Sequence, residues 1–151
     1  MSIKKAGTRR EEAVGDLKLN LRRFVVELLV SSYEATEDVG VNPTDLAALC
    51  LLLLQGPAPA GRLAELTGLT TGAVTGVIDR LEKGGFVRRE LDPADRRKVI
   101  VVPDAERVDH ALFPHFPSLQ TAAAPQFYED LSIAELGLIS KFLSRLTARP
   151  A

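Results

Sequence analysis

One stretch of the chain decides its fold, and it runs from Gly61 to Val102: GRLAELTGLTTGAVTGVIDRLEKGGFVRRELDPADRRKVIVV. Its first half carries apolar residues at helical spacing, which predicts a short helix over residues 60–67 and a longer one over 71–83. Gly68 lies between them as a left-handed residue that ends the first helix, and one of the two threonines that follow caps the second. These signals predict two helices joined by a tight turn.

The second half of the stretch has the pattern of a β-hairpin. Gly84-Gly85 ends the second helix, and two β-favouring runs follow it at residues 86–91 and 98–102. The loop between them, residues 92–97, reads DPADRR and places two arginines at a turn. The stretch therefore predicts two helices followed by a hairpin with a charged tip.

The flanking segments are predicted to be helical. Apolar residues at helical spacing indicate a long amphipathic helix from Glu11 to about Thr36. Asn42-Pro43 is typical of a helix start, and the helix that follows it to Leu54 is apolar on nearly every side, which predicts burial. Ser132 and Glu135 form the capping-box pattern that opens a last helix.

Length, charge and cysteine content narrow the class of protein. The chain has 151 residues, enough for about one domain, and a net charge of −1. Any affinity for nucleic acid must therefore come from a local patch, and residues 60–102 hold eight Lys or Arg against six Asp or Glu. The single cysteine, Cys50, fits a reducing compartment and is predicted to be a buried, inert thiol. We expect a cytoplasmic protein with no signal peptide and no membrane partner.

The exposed face of the second helix suits a nucleic-acid groove. Opposite its apolar stripe it presents small and polar residues, among them Thr75, whose hydroxyl and methyl groups can both contact bases. Gly72 and Gly76 also lie on this face, and a glycine inside a helix costs about 1 kcal/mol relative to alanine. Two interpretations stay open. The glycines allow close approach to DNA, or they result from neutral sequence drift on a solvent-exposed face.

The hairpin tip is the second candidate surface. Arg96 and Arg97 extend beyond the lobe, and a narrow minor groove attracts such guanidinium groups. Asp92 and Asp95 are predicted to pair with a neighbouring arginine and fix its direction, and Arg80 is a possible partner for either of them. The alternative is a solvated hairpin with surface ion pairs that contribute little.

In its central residues, LAELTGLTTGAVTGVIDRLEKGGFVRRELDPADRRKVIVV, the chain resembles the multiple-antibiotic-resistance regulator (MarR) family of winged-helix transcription factors. DPADRR looks like the wing signature of that family, and VIDRLEKGGFV like the end of its recognition helix. The resemblance implies a homodimer that binds a pseudo-palindromic operator in double-stranded DNA, usually as a repressor. It also usually implies release by a small aromatic or anionic effector, or by thiol oxidation.

Mapped onto this sequence, the resemblance implies that Thr70, Thr71, Thr75 and Arg80 contact DNA or support contacts, and that Asp95 orients Arg97. The full candidate DNA-binding set is Thr70, Thr71, Gly72, Thr75, Gly76, Arg80, Asp95, Arg96 and Arg97. The expected fold is mainly α with a small β-hairpin wing. The expected organisation is a flexible basic tail (1–10), a dimerisation helix (11–40), a winged helix-turn-helix lobe (41–102) and C-terminal dimerisation helices (103–151).

Three departures from the family pattern accompany this assignment. The two glycines stand where members often carry a reading side chain, and Val102 stands where the family usually has a hydroxyl N-cap before its fifth helix. Pro114, Pro117 and Pro125 interrupt what is usually one long dimerisation helix. A rival hypothesis is a winged-helix dimer that serves as a protein-interaction module with little specific DNA binding. No catalytic acid–base pair or nucleophile motif is visible, and His110 and His115 are not spaced like metal ligands. We therefore expect no enzyme, no metal site and no cofactor.

Overall fold

The computed structural model describes the backbone of residues 2–148 and the side chains of residues 8–148. The chain divides into two compact units, Met1–Ser118 and Leu119–Ala151. The helices are α1 (Ser2–Val39), α2 (Pro43–Gln55), α3 (Ala60–Thr67), α4 (Thr71–Lys83), α5 (Ala105–Ala111), α6 (Pro117–Ala123) and α7 (Ile133–Thr147), with short 3-10 helices at Phe113–His115 and Pro125–Tyr128. The strands are β1 (Val87–Leu91) and β2 (Val99–Pro103).

Helix α1 differs from the prediction at its start. It begins at Ser2, so residues 2–10, which were predicted to be a flexible tail, continue the helix instead. This segment has no proline, and its lysines, arginines and alanine favour helix, so nothing in it forces the helix to stop. The long amphipathic helix predicted from Glu11 is therefore the larger part of α1.

Helix α2 starts where the sequence predicts. Asn42 is its N-cap and accepts a hydrogen bond from the Asp45 N–H at 2.9 Å, with Pro43 as the first helical residue. Its burial is one-sided, however, which corrects the expectation of a helix covered all round. Leu49 and Leu52 are fully buried, whereas Leu54 is 81% exposed and Cys50 is also exposed.

The turn between α3 and α4 also follows the prediction. Gly68 ends α3 with a φ of 72°, in the left-handed region that favours glycine. Thr70 then caps α4, since its Oγ1 accepts a hydrogen bond from the Ala73 N–H at 3.3 Å. The predicted apolar stripe of α4 is buried and consists of Val74, Val77, Ile78 and Leu81.

The junction between α4 and the hairpin requires two glycines for different reasons. A Cβ at Gly84 would lie 3.0 Å from the ring of Phe86, which is buried in the core. Gly85 has a φ of 75°, which L side chains rarely adopt. Together they turn the chain so that Phe86 packs beneath α4 and β1 can begin.

Strands β1 and β2 form an antiparallel pair in which Arg89 faces Val101. Val101 also exchanges two backbone hydrogen bonds with Ala58, at 2.8 and 3.1 Å, and so ties the hairpin to the segment between α2 and α3. The sequence analysis did not predict this bridge. It fixes the hairpin against the body of the first unit.

The prolines of the C-terminal third coincide with helical starts. Pro117 and Pro125 are the first residues of α6 and of the second 3-10 helix, and Pro114 lies in the first turn of the other 3-10 helix. Proline fits these positions because the first turn of a helix leaves its N–H groups unpaired. Helix α7 begins with the predicted capping box between Ser132 and Glu135. None of the helices in the described part of the chain is long and apolar enough to cross a membrane.

Candidate nucleic-acid interface

Helix α4 exposes a face of small and polar residues. Thr70, Thr71, Gly72 and Thr75 are all exposed, and Gly76 is half-buried. The Thr75 hydroxyl donates to the Thr71 carbonyl at 3.0 Å, which leaves its oxygen lone pair able to accept a hydrogen bond. This half of the candidate set therefore lies on one accessible surface.

The two glycines of α4 have different surroundings. A Cβ at Gly72 would meet no atom within 4 Å, whereas a Cβ at Gly76 would lie 3.3 Å from Nη1 of Arg80. Both line a shallow cleft of about 510 Å³ between α4 and the start of α2, whose other wall includes Pro43 and Thr44. Gly76 thus has a neighbour that Gly72 lacks.

Arg80 forms an ion pair with a buried carboxylate. Its Nε and Nη2 donate to the two carboxylate oxygens of Asp45, at 2.8 and 2.7 Å. The Asp45 side chain is 3% exposed and the Arg80 side chain 53%. Hydrogen bonding to Asp45 raises the pKa of Arg80 above its ordinary value. The predicted partnership of Arg80 with Asp92 or Asp95 is wrong, because Asp45 already holds the guanidinium in a bidentate pair.

A second arginine joins α4 to the hairpin. Arg89 on β1 donates from Nη2 to Asp79 at 2.5 Å, and its Nη1 pairs with Glu82. Its backbone N–H also donates to Glu82, at 3.0 Å. Hydrogen bonding to Asp79 raises the pKa of Arg89. This cluster connects the helix and the strand that carry the two candidate surfaces.

The hairpin tip is ordered by its aspartates through the backbone. Asp92 accepts from the Ala94 N–H at 2.8 Å, and Asp95 accepts from the Arg97 N–H at 3.2 Å. The Asp95 carboxylate lies 3.6 Å from Nζ of Lys98, so its charged partner is a lysine rather than the predicted guanidinium. The side chains of Arg96 and Arg97 are exposed and form no ion pair with any residue that the structure describes.

Known proteins match this arrangement. The sequence model of the MarR family matches residues 41–99. YcgE of Bacillus subtilis, an HTH-type transcriptional regulator, is 45% identical over 82 residues, which cover 54% of this chain and 53% of YcgE. MhqR of the same organism, also an HTH-type transcriptional regulator, is 31% identical over 107 residues, which cover 71% of this chain and 72% of MhqR. The chain belongs to the MarR family of transcriptional regulators.

A solved structure supports the same assignment for the fold. The transcriptional regulator Tm0710 from Thermotoga maritima superposes with a TM-score of 0.59 at 26% identity, over 87% of this chain and 92% of Tm0710. The predicted fold class, mainly α with a hairpin wing, is confirmed. The chain spans about half the length of the first curated relatives that it matches.

Within a MarR-family regulator, α3 and α4 are the helix-turn-helix and the hairpin is the wing. Asp45, Arg89 and Glu82 were not among the residues predicted from the sequence. Asp45 had a visible signal, since it is the only charged residue of the otherwise apolar α2. The Arg89 cluster had none, because its members are 7 and 10 residues apart in sequence and their distance depends on how the hairpin folds back.

Proposed function

We propose that this MarR-family regulator binds a pseudo-palindromic operator as a cytoplasmic homodimer and represses transcription there. The observation that carries the proposal is the wing tip, where Arg96 and Arg97 are exposed and have no carboxylate partner in the described structure. Arginines in this state are available to the negative potential of a narrow minor groove. Helix α4 would then enter the adjacent major groove, as recognition helices do.

The homodimer is supported by uncovered apolar side chains on α1 and α7. Tyr33 is 67% exposed and Ile133 is 90% exposed, and further large apolar side chains lie exposed on the same two helices. The other members on α1 are Leu17, Leu19, Phe24, Val25, Val26, Leu29 and Val30, and those on α7 are Leu138, Ile139, Leu143 and Leu146. Apolar surface of this extent is typical of a protein interface.

A small aromatic or anionic effector is the expected ligand of the regulator. A groove of about 480 Å³ on α1 is lined by the apolar side chains of Val26, Val30 and Pro117, by the cations Arg22 and Arg23, and by Glu27 and Ser31. An apolar wall with adjacent guanidinium groups suits an aromatic acid.

The wing assignment can be tested with Arg97→Ala. We expect this substitution to weaken binding to the chain's own upstream DNA by about tenfold or more, because a charge-assisted contact in the minor groove is lost. Fluorescence anisotropy at several salt concentrations measures the affinity and its salt dependence. The matched control is Lys141→Ala, which removes one exposed cation of α7, outside the proposed interface.

Three outcomes are distinguishable in this experiment. Steep salt dependence and loss of affinity only in Arg97→Ala agree with the proposal. Equal affinity of both variants for the operator rules out the wing assignment. Weak retention by unsubstituted protein that does not depend on DNA sequence favours a protein-interaction module instead.

A further inference from the structure

We propose that Asp45 is a positioning residue that holds the Arg80 guanidinium over Gly76, where it binds a backbone phosphate of the DNA. This inference rests on the proposed DNA-binding function and adds two residues to it. Asp45 supplies the orientation, and Gly76 supplies the space. Arg80 is the group that touches the phosphate.

The ion pair fixes the arginine from one side only. Both carboxylate oxygens of Asp45 are used, by Nε at 2.8 Å and by Nη2 at 2.7 Å. A guanidinium group has five N–H donors, so three remain, two of them on Nη1. Since Asp45 is 3% exposed and Arg80 53%, the pair has its carboxylate in the interior and its unused donors at the surface.

Gly76 explains how the guanidinium can occupy this place. Its missing Cβ would lie 3.3 Å from Nη1 of Arg80, closer than ordinary van der Waals contact. An alanine here would push against a group that two hydrogen bonds hold in place. The arginine of the next turn therefore covers the position where a side chain at residue 76 would project.

The location favours a phosphate over a base. Arg80 lies in the last turn of α4, whereas residues near the start of a recognition helix contact base edges. It also lines the cleft whose far wall is the first turn of α2. Phosphate oxygens are acceptors that match the free donors of a guanidinium group.

The test compares Gly76→Ala with Gly72→Ala in fluorescence anisotropy on two duplexes, the chain's own upstream DNA and a scrambled sequence. Both substitutions raise helix propensity and leave the net charge unchanged, but only the first contacts Arg80. We expect Gly76→Ala to weaken binding to both duplexes by roughly three- to tenfold more than Gly72→Ala does. Arg80→Gln removes one phosphate contact from each subunit of the proposed homodimer, so the slope of log affinity against log salt should become less steep by about 1.8, at about 0.9 for each contact.

The same pair of substitutions in the Arg80→Gln background separates positioning from obstruction. We expect the difference between Gly76→Ala and Gly72→Ala to vanish there. If Gly76→Ala weakens binding as much without the arginine, the methyl group blocks DNA directly and the inference is wrong. Equal affinities of the two variants in the unsubstituted background also contradict it. If the unsubstituted protein shows no salt-dependent binding to either duplex, the proposed function itself fails.

The Asp45→Asn substitution is an independent test, because two explanations predict opposite changes in DNA affinity. It removes a negative charge, so long-range electrostatics alone predicts tighter binding to DNA. The positioning role predicts weaker binding, because Asn presents only one oxygen to the guanidinium. Tighter binding by folded Asp45→Asn protein would overturn the inference, and where that variant does not fold, the glycine pair decides.

Discussion

The carboxylate of Asp45, the only charged residue of α2, is buried beneath α4. A buried charge is costly unless it is paired and hydrogen-bonded. Arg80 meets both needs through two short hydrogen bonds, and the Asp45 N–H is satisfied separately by Asn42. Asp45 thus links the start of α2 to the last turn of α4. Apolar contacts between the two helices would not by themselves fix their relative orientation.

The surroundings of Cys50 affect the reactivity that is expected of its thiol. Its thiol is exposed on α2, yet neighbouring atoms partly desolvate it, and this raises its pKa above the ordinary value. A raised pKa lowers the thiolate fraction at any given pH, and the thiolate is the reactive form. The predicted burial of Cys50 is wrong, but the expectation of a poorly reactive thiol agrees with this pKa shift.

We therefore predict slow alkylation of Cys50. In the folded protein, the rate of reaction with iodoacetamide should rise with pH along a curve displaced to higher pH than that of a free cysteine. The same measurement on urea-unfolded protein is the control, since unfolding restores solvation. A folded-state curve at or below the unfolded one would contradict the prediction.

At the scale of elements, the ion pairs of Arg89 with Asp79 and Glu82 connect α4 to the wing. Arg89 lies on β1, and its two carboxylate partners, Asp79 and Glu82, lie one turn apart on α4. The pairs are partly exposed, so their contribution to the free energy of unfolding is small. Their effect is on geometry, because they hold β1 to α4 while the Val101–Ala58 bridge holds β2.

Replacement of Arg89 by alanine tests this link. We expect faster amide hydrogen exchange in β1 and at the wing tip, while the core of α4 exchanges at its former rate, because the loss is local. Arg88→Ala is the control, since Arg88 pairs with Glu90 within the same strand. Unchanged exchange in the wing after Arg89→Ala would show that the backbone pairing alone holds it.

Most elements could be predicted from the sequence because their ends carry local signals. Asn42, Gly68, Thr70 and Ser132 each begin or end a helix through contacts within a few residues. The apolar stripe of α4 was predicted from spacing alone, because residues at helical spacing share one face.

The contacts that complete the candidate site are not local. Asp45 and Arg80 are 35 residues apart, and their encounter depends on the packing of α2 against α4. Asp95 was expected to pair with an arginine side chain, yet a tight turn brought the backbone N–H of Arg97 within its reach instead. The exposure of Cys50 and Leu54 likewise depends on what covers α2, which helical periodicity does not contain.

At the scale of the whole molecule, the fold of a single chain does not explain the exposed apolar side chains of α1 and α7. Burial of a leucine side chain contributes about 1.5–3 kcal/mol, and a two-fold interface buries each such residue twice. Burial of the exposed leucines on α7 would therefore stabilise the proposed dimer. Such a dimer would double the number of wings and recognition helices available to DNA.

Leu143→Asp tests this assembly. We expect it to weaken the dimer by about 10²- to 10⁴-fold in Kd, since two leucines are lost from the interface and two charges enter it. Sedimentation velocity over a dilution series measures the change. Lys141→Asp is the control, because Lys141 is exposed and lies two residues away, on a different side of α7. A Leu143→Asp dimer as tight as the control would exclude α7 from the interface.

The Asp45–Arg80 pair also limits how this regulator can be re-engineered. A transplanted recognition helix that lacks an arginine at the Arg80 position would leave Asp45 buried and without a counter-charge. Such a chimera would be expected to fold poorly even if every transplanted base contact were correct. The unit that can be exchanged is therefore α4 together with the first turn of α2.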